Sequence, residues 1–344
     1  MRAIVVPRPG SYEQLVLESR PDAEPGAGEV AIDVSAVGVN YADCVVRMGL
    51  YESAKKYVGY PIVPGFEVAG RVVGLGAGVV DLAVGDEVFA VTRFGGYATR
   101  LVVPRAYVFP RPARFTDAQA AAFPSVHLTA WWALVELAHP RPGSRILVHS
   151  AAGGVGQAAV GIAKILGAEV VGVVGSAAKV EAARRAGADH VIDASRGSLF
   201  REAERLSPEG YDVILDANGP STLKASYEHL RPGGRLVVYG FHSMLPKSEG
   251  RPSLAKLALE WLRVPRFDPL RMTGENRSVL AFNLSYLFER QDLLGLATKD
   301  LLRWVDEGRL AAPSVTEHAF DRVADAHRAL ESGTTTGKLV LRVR

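Results

Sequence analysis

The residues with the clearest chemical potential form one run, Ile146-Leu147-Val148-His149-Ser150-Ala151-Ala152-Gly153-Gly154-Val155-Gly156-Gln157. An apolar strand passes into a glycine-rich turn and straight into a helical pattern. That is the context a dinucleotide-binding fingerprint requires. Gly153 lets the backbone approach a pyrophosphate, and Gly156 lets the helix pack on the strand. Amides of Ala152, Gly153, Gly154 and Val155 then face the phosphates at the positive end of the helix dipole. Ala151 stands where the first glycine of the G-x-G-x-x-G pattern would be. A tight turn without a ligand is the bland alternative.

The choice of dinucleotide is read at the end of the next strand, Val173-Val174-Gly175-Ser176-Ala177-Ala178-Lys179. NAD sites place an Asp or Glu there to bond the ribose hydroxyls. None is present. A carboxylate would repel a 2′-phosphate, whereas the Ser176 hydroxyl and the Lys179 ammonium beside Gly175 would accept one. This favours NADPH. The competing reading makes Ser176 a helix cap and Lys179 a solvated side chain.

These groups need a scaffold, and the pattern around them supplies one. From residue 145 onward strands and helices alternate. Arg145–His149, Glu169–Val174, His190–Ile192, Asp212–Leu215 and Arg235–Tyr239 read as strands. Val155–Leu166 and Ala177–Ala186 read as helices, each stopped by a glycine. Such alternation indicates βαβ units and a parallel sheet. The first 120 or so residues have a different texture, with short alternating strands punctuated by Pro-Gly and Gly-Gly turns, and predict a compact β domain. Thr116 reads as a helix N-cap. Residues 244–275 break the rhythm and read as an insert. Val279–Leu284 reads as a strand, Asp292–Gly308 as an amphipathic helix, and Lys338–Val343 as a closing strand that returns to the first domain.

Composition bounds the function. The chain has 344 residues, 48% of them hydrophobic and 22% charged, enough apolar mass for a sizeable core. The formal net charge of +3 with scattered Lys and Arg argues against a nucleic-acid partner. Cys44 is the single cysteine, so an intramolecular disulfide and a four-thiolate zinc site are both out of reach. No run reaches the roughly 18 apolar residues of a membrane span, and the first residues do not read as a signal peptide. A cytoplasmic protein is expected.

The motifs together resemble the medium-chain dehydrogenase/reductase superfamily, and within it the zinc-free quinone oxidoreductase branch. They are Gly38-Val39-Asn40-Tyr41-Ala42-Asp43, Gly49-Leu50-Tyr51, Pro64-Gly65-Phe66-Glu67-Val68-Ala69-Gly70, Val84-Gly85-Asp86-Glu87-Val88, Gly95-Gly96-Tyr97-Ala98, the Ser150–Gly156 loop and Ala186-Gly187-Ala188-Asp189. The insert and Ala281-Phe282-Asn283-Leu284-Ser285-Tyr286-Leu287 look most like the vesicle amine transport protein subgroup. The resemblance implies an α/β protein: a GroES-like β-rich catalytic domain plus a Rossmann domain with a doubly wound parallel sheet. The expected division is catalytic domain 1–123, Rossmann domain 124–286 with the insert, and a return to the catalytic domain over 287–344. The active site would lie between the domains, and a homodimer is expected.

The resemblance also bears on metal. Zinc-containing relatives carry a catalytic Cys where Asn40 stands and a ligand His where Phe66 stands, and the Cys-rich lobe between Val88 and Gly95 is missing. No metal site is expected. A zinc alcohol dehydrogenase is therefore disfavoured, because polarising an alkoxide needs the ion. Hydride transfer to a quinone or an α,β-unsaturated carbonyl remains. By family position Tyr51 is a candidate proton donor and Asn40 a donor to substrate or nicotinamide ribose. Their bland readings are a cleft-lining aromatic and a turn residue. Thr129 is placed on the nicotinamide side, or else caps a helix start. Asn218, Gly240 and Phe241 follow two later strands, where a cofactor lies. Lys338 reaches phosphate or cofactor, or is a solvated base. Family members place a Tyr after the third Rossmann strand, where this chain has Ala194. His127, His149 and His242 read as structural. The competing function is a non-catalytic NADPH-binding protein that acts on membranes or partners through the insert.

Overall fold

A computed structural model of the chain describes residues 1–246 and 250–343. Residues 247–249, within the expected insert, and Arg344 lie outside the described residues. The chain begins with β1 (Arg2–Val5), β2 (Val16–Ser19) and the long β3 (Glu29–Val39). Helices α1 (Tyr41–Arg47) and α2 (Glu52–Tyr57) precede β4 (Glu67–Leu75), β5 (Glu87–Val91), β6 (Arg100–Pro104) and β7 (Val108–Pro110). Then come α3 (Asp117–Ala121) and α4 (Pro124–Trp131), which runs on as a π-helical turn to Ala138.

The alternating region follows: β8 (Arg145–Val148), α5 (Gly154–Ile165), β9 (Glu169–Val174), α6 (Val180–Arg185) and β10 (His190–Asp193). It continues with α7 (Leu199–Leu206), β11 (Tyr211–Asp216), α8 (Leu223–Glu228) and β12 (Leu230–Val238). Helices α9 (Leu254–Arg263) and α10 (Pro269–Glu275) lead to β13 (Ser278–Ala281). The chain closes with α11 (Gln291–Asp306), β14 (Val315–Ala319), α12 (Val323–Glu331) and β15 (Lys338–Arg342).

Strands β8 to β13 form a six-stranded sheet in the order β10-β9-β8-β11-β12-β13, with every pairing parallel. The order reverses between β8 and β11. In open α/β sheets a ligand binds at such a reversal, beyond the carboxyl ends of the strands. The central strands are almost wholly buried, since helices cover both faces. A second, seven-stranded sheet holds β14-β15-β3-β4-β5-β7, with β6 also on β3. Strand β15 pairs with β3 across Leu339–Val39, so the end of the chain is woven into the β-rich region that began it.

Local signals explain several boundaries. The Thr116 hydroxyl accepts the Gln119 amide, and the Gln119 side chain accepts the Thr116 amide, a reciprocal cap for α3. Pro124 opens α4, where its missing N–H is not needed. Gly167, at φ +78°, turns the chain after α5.

Other expectations are revised. The segment read as an insert is the connection between β12 and the parallel strand β13, built of two short helices. Parallel strands need such a crossover. The strand expected over Val279–Leu284 stops at Ala281, because the Asn283 side chain accepts the Ser285 amide and starts a 3-10 turn. The helix expected from Ala177 begins as a 3-10 turn, Ala177–Lys179, before α6.

Candidate cofactor and active site

The glycine loop leaves the end of β8, at the reversal in strand order. Ser150 adopts a left-handed conformation, φ +54°, and its carbonyl accepts the Gly153 amide at 2.9 Å. A Cβ on Gly156 would lie 2.2 Å from the Ser150 oxygen and 2.7 Å from the Ala151 Cα. Only glycine lets α5 sit this close to its strand. A Cβ on Gly154 would meet Val126 Cγ1 at 3.0 Å. The Ala152 carbonyl accepts the Gly337 amide at 2.8 Å, which docks the loop against the start of β15.

The loop after β11 is tied to this one. Asn218 Oδ1 accepts the Ser150 hydroxyl at 3.2 Å. Asn218 is itself held by Asp216, whose Oδ1 accepts the Asn218 and Gly219 amides at 2.8 and 3.1 Å. The other Asp216 oxygen accepts Thr222 and Ser226 hydroxyls at 2.7 and 2.9 Å. Because Ser226 gives its hydrogen to Asp216, Nε2 of His149 is the donor in their 3.0 Å contact. Burial pushes the His149 pKa down, which keeps the ring neutral. His149 is thus a support for the loop. Asp216 and Ser226 are the supports that sequence reasoning passed over; the signal was the acid two residues before Asn218.

At the end of β9, where the adenosine was expected, a Cβ on Gly175 would meet nothing within 4 Å, so open space follows the strand. The Ser176 hydroxyl makes no capping bond to the turn it precedes. Lys179 is not a solvated side chain. It is half-buried, its ammonium donates to the Gly333 carbonyl, and burial lowers its pKa. Gly240 and Phe241 follow β12, with Phe241 exposed and its Cδ1 2.9 Å from where a Gly219 Cβ would stand. Thr129 lies within α4, and its hydroxyl donates to the Ser125 carbonyl at 2.7 Å, so it is not a helix-start cap.

In the β-rich part, Asn40 is half-buried. Its Nδ2 donates to Glu67 Oε1 at 2.9 Å, and its Oδ1 accepts from Lys338 Nζ at 2.6 Å. Lys338 therefore departs from its reading as a solvated base. It is 4% exposed and paired with Glu67 at 2.6 Å. Tyr51 donates its hydroxyl to Asn283 Oδ1 at 3.0 Å and packs edge-on against Phe66 and Phe94. Burial raises its pKa. His127 stacks on Phe123 and holds that residue's carbonyl at 2.7 Å, a structural role. His242 packs edge-on to Tyr41.

Two family models match, described as an alcohol dehydrogenase GroES-like domain over residues 26–113 and a zinc-binding dehydrogenase over residues 154–267. The rat protein named synaptic vesicle membrane protein VAT-1 homolog is 33% identical over 343 residues, spanning 99% of this chain and 84% of its own. The chain belongs to the medium-chain dehydrogenase/reductase superfamily. Its seven-stranded and six-stranded sheets belong to the GroES-like and Rossmann parts of that architecture. Among solved structures, the Escherichia coli quinone oxidoreductase complexed with NADPH superposes with a TM-score of 0.86 at 26% identity, covering all of both chains. The CurK enoyl reductase superposes equally well, at 27% identity over 100% of this chain and 99% of its own. No helix among the described residues is long and apolar enough to cross a membrane.

Medium-chain dehydrogenases/reductases include zinc enzymes, so the fit of a metal matters. At the two positions where the resemblance places zinc ligands in metal-containing relatives stand Asn40, whose carbonyl oxygen already receives an ammonium, and Phe66, an apolar ring at 5.4 Å from Phe94. These side chains do not fit zinc. Elsewhere Cys44, His327 and Glu331 bring ligand atoms within 4.8 Å of one another. Arg47 already fills that space, 2.8 Å from Glu331 Oε1 and 3.2 Å from His327 Nδ1. Tyr97 and Tyr12 occupy the remaining His327 and Glu331 atoms, at 3.0 and 2.6 Å. The guanidinium takes the place a cation would need.

Proposed function

We propose that this chain is a zinc-independent, NADPH-dependent reductase that passes hydride to a quinone or an α,β-unsaturated carbonyl. The observation that carries the reading is the pair Asn40 and Phe66. One is bonded to a lysine ammonium and the other is an aromatic wall, so the reaction is one that needs no Lewis acid. When bound, the dinucleotide supplies the hydride.

The chain's own groups do the rest. Amides of Ala152 to Gly156 take the pyrophosphate at the start of α5. Gly175, Ser176 and Lys179 take the adenosine ribose and its 2′-phosphate, and Lys179 swings from the Gly333 carbonyl to do so. Asn218, Gly240, Phe241 and Thr129 border the rest of the dinucleotide. Asn40 presents an amide hydrogen to the acceptor or nicotinamide ribose. Tyr51, kept as a neutral phenol by burial, turns its hydrogen from Asn283 Oδ1 to the product enolate, and the phenolate left is reprotonated from solvent. The solved relatives crystallised with NADPH, or named as quinone and enoyl reductases, support this reading. Following NADPH absorbance across a panel of quinones and enones, with product identification, tests it. A panel that consumes no NADPH would count against it.

The proposal extends to a cytoplasmic homodimer, which sedimentation of the purified chain checks. One observation favours a second reading, a non-catalytic NADPH-binding protein that docks on membranes or partners. Helix α9 exposes Leu254, Trp261 and Leu262 beside Arg263 and Arg266. Liposome binding that α9 substitutions abolish, with no turnover on the panel, would move the assignment there.

A further inference from the structure

Lys338, Glu67 and Asn40 come from three separate parts of the chain and meet in a nearly dry place. Glu67 is fully buried and Lys338 almost so. The ammonium has three hydrogens and three oxygen partners: Val39 O at 2.9 Å, Asn40 Oδ1 at 2.6 Å and Glu67 Oε1 at 2.6 Å. The second Glu67 oxygen accepts the Ser125 amide at 2.7 Å, in the first turn of α4. A Cβ on Gly38 would lie 2.4 Å from Glu67 Oε1, so a glycine keeps the carboxylate's seat open.

The arrangement fixes the Asn40 amide in one orientation. An ammonium only donates and a carboxylate only accepts, so Oδ1 faces Lys338 and Nδ2 faces Glu67. One Nδ2 hydrogen remains to be given elsewhere. The same lysine adjoins the glycine loop. Its neighbour Gly337 bonds the Ala152 carbonyl, and its Cδ lies 3.4 Å from where a Gly154 Cβ would stand. A pair that only cemented the fold would not need to reach both Asn40 and the dinucleotide loop.

We propose that Lys338 and Glu67 are positioning residues, a buried charge pair that aims the free amide hydrogen of Asn40 at the bound nicotinamide or its acceptor. The inference rests on the reductase reading. It separates from simple stability because its effect runs through Asn40. Lys338→Met alone strands the Glu67 charge and could unfold the protein, so the decisive variant is Lys338→Met with Glu67→Gln, which leaves no unpaired buried charge.

The experiment is a cycle of this double variant with Asn40→Ala, read two ways. NADPH titration gives its Kd and the emission of the bound dihydronicotinamide, which needs no acceptor. Single-turnover mixing with a quinone gives the hydride-transfer rate. The double variant should keep the NADPH Kd within about threefold, shift the bound emission as Asn40→Ala does, and slow hydride transfer roughly 30-fold; adding Asn40→Ala should change neither further. Unchanged emission and rate in the double variant, or effects that multiply with those of Asn40→Ala, would overturn the proposal. If wild type reduces no acceptor, the reductase reading fails, and the emission cycle alone decides the inference.

Discussion

Tyr51 and Asn283 lie 232 positions apart in the chain, and the Tyr51 hydroxyl donates to Asn283 Oδ1 at 3.0 Å. Close by, the Ser285 hydroxyl bonds that of Ser53 at 2.8 Å. The two contacts join the segment beginning at Tyr51 to the turn after β13, so the catalytic and Rossmann parts meet beside the phenol. Asn283 holds the ring where the proposed proton transfer needs it. Tyr51→Phe should lower kcat for an enone by roughly 100-fold or more, the usual range for loss of a general acid being about 10²–10⁴. Quinone reduction, whose product tolerates the anionic form, should fall less. Equal kcat on both substrates would remove Tyr51 from the chemistry. Because burial raises the phenol pKa, deprotonation of Tyr51 should cost no activity as pH rises from 7 to 9.

Lys179 rests on the Gly333 carbonyl and must change partners to hold a 2′-phosphate. A charge-assisted bond of this sort is worth about 1.5–3 kcal/mol, so Lys179→Ala should raise the NADPH Kd about 10-fold to 100-fold. NADH, which lacks the phosphate, should bind within about twofold of wild type. Fluorescence titration with both dinucleotides checks this. A parallel loss for both would return Lys179 to a tether for the Gly333 loop.

Two glycines give a sharper contrast. A methyl at Gly156 would strike the Ser150 carbonyl and the Ala151 backbone, and backbone cannot move aside cheaply. Gly156→Ala should cost about 3 kcal/mol in urea unfolding, the upper part of the range for overpacking, because the contacts are to backbone. A methyl at Gly175 meets open space. Gly175→Ala should leave the unfolding midpoint unchanged and weaken NADPH binding alone. Equal stability for the two variants would contradict the packing described for α5.

His127 sets an acid limit on stability. Burial is the main cause that lowers its pKa from 6.5 to about 4, so the folded state holds the ring neutral. The unfolded chain takes up the proton below pH 6.5, and the folded one only near 4. The stabilisation is therefore complete above pH 6.5 and is lost as pH falls toward 4. The span is about 2.5 units, or about 3 kcal/mol. Buried His149 and His327 are shifted the same way and add to the slope. Denaturant melts at pH 7 and pH 5 should show a smaller difference for His127→Gln than for wild type. An unchanged difference would show that other groups set the acid limit.

Much of the scaffold was legible because its signals are local. The Ser150–Gly156 loop sits between an apolar strand and a helix, and the Thr116 cap announces α3. The segment 244–275 misled because its Leu, Trp and Arg mixture lacks a buried stripe. Leu254, Trp261, Leu262 and Leu270 stay exposed in the helices that connect β12 to β13. Asn283 ended a strand early because its side chain competes for a backbone amide. The roles of Lys338 and Glu67 were illegible for a different reason. The return of the closing strand was expected, but the register that sets Lys338 against Asn40 and Glu67 comes from pairing across some 300 residues, which no window of sequence contains.

If hydride passes from NADPH to the acceptor without zinc, the metal-free protein turns over. The most direct test is NADPH oxidation by phenanthrenequinone, using protein dialysed against a strong chelator and confirmed free of metal. Steady turnover that added zinc does not raise is expected, with NADPH preferred over NADH. No turnover until zinc is restored, or equal rates with the two dinucleotides, would contradict it.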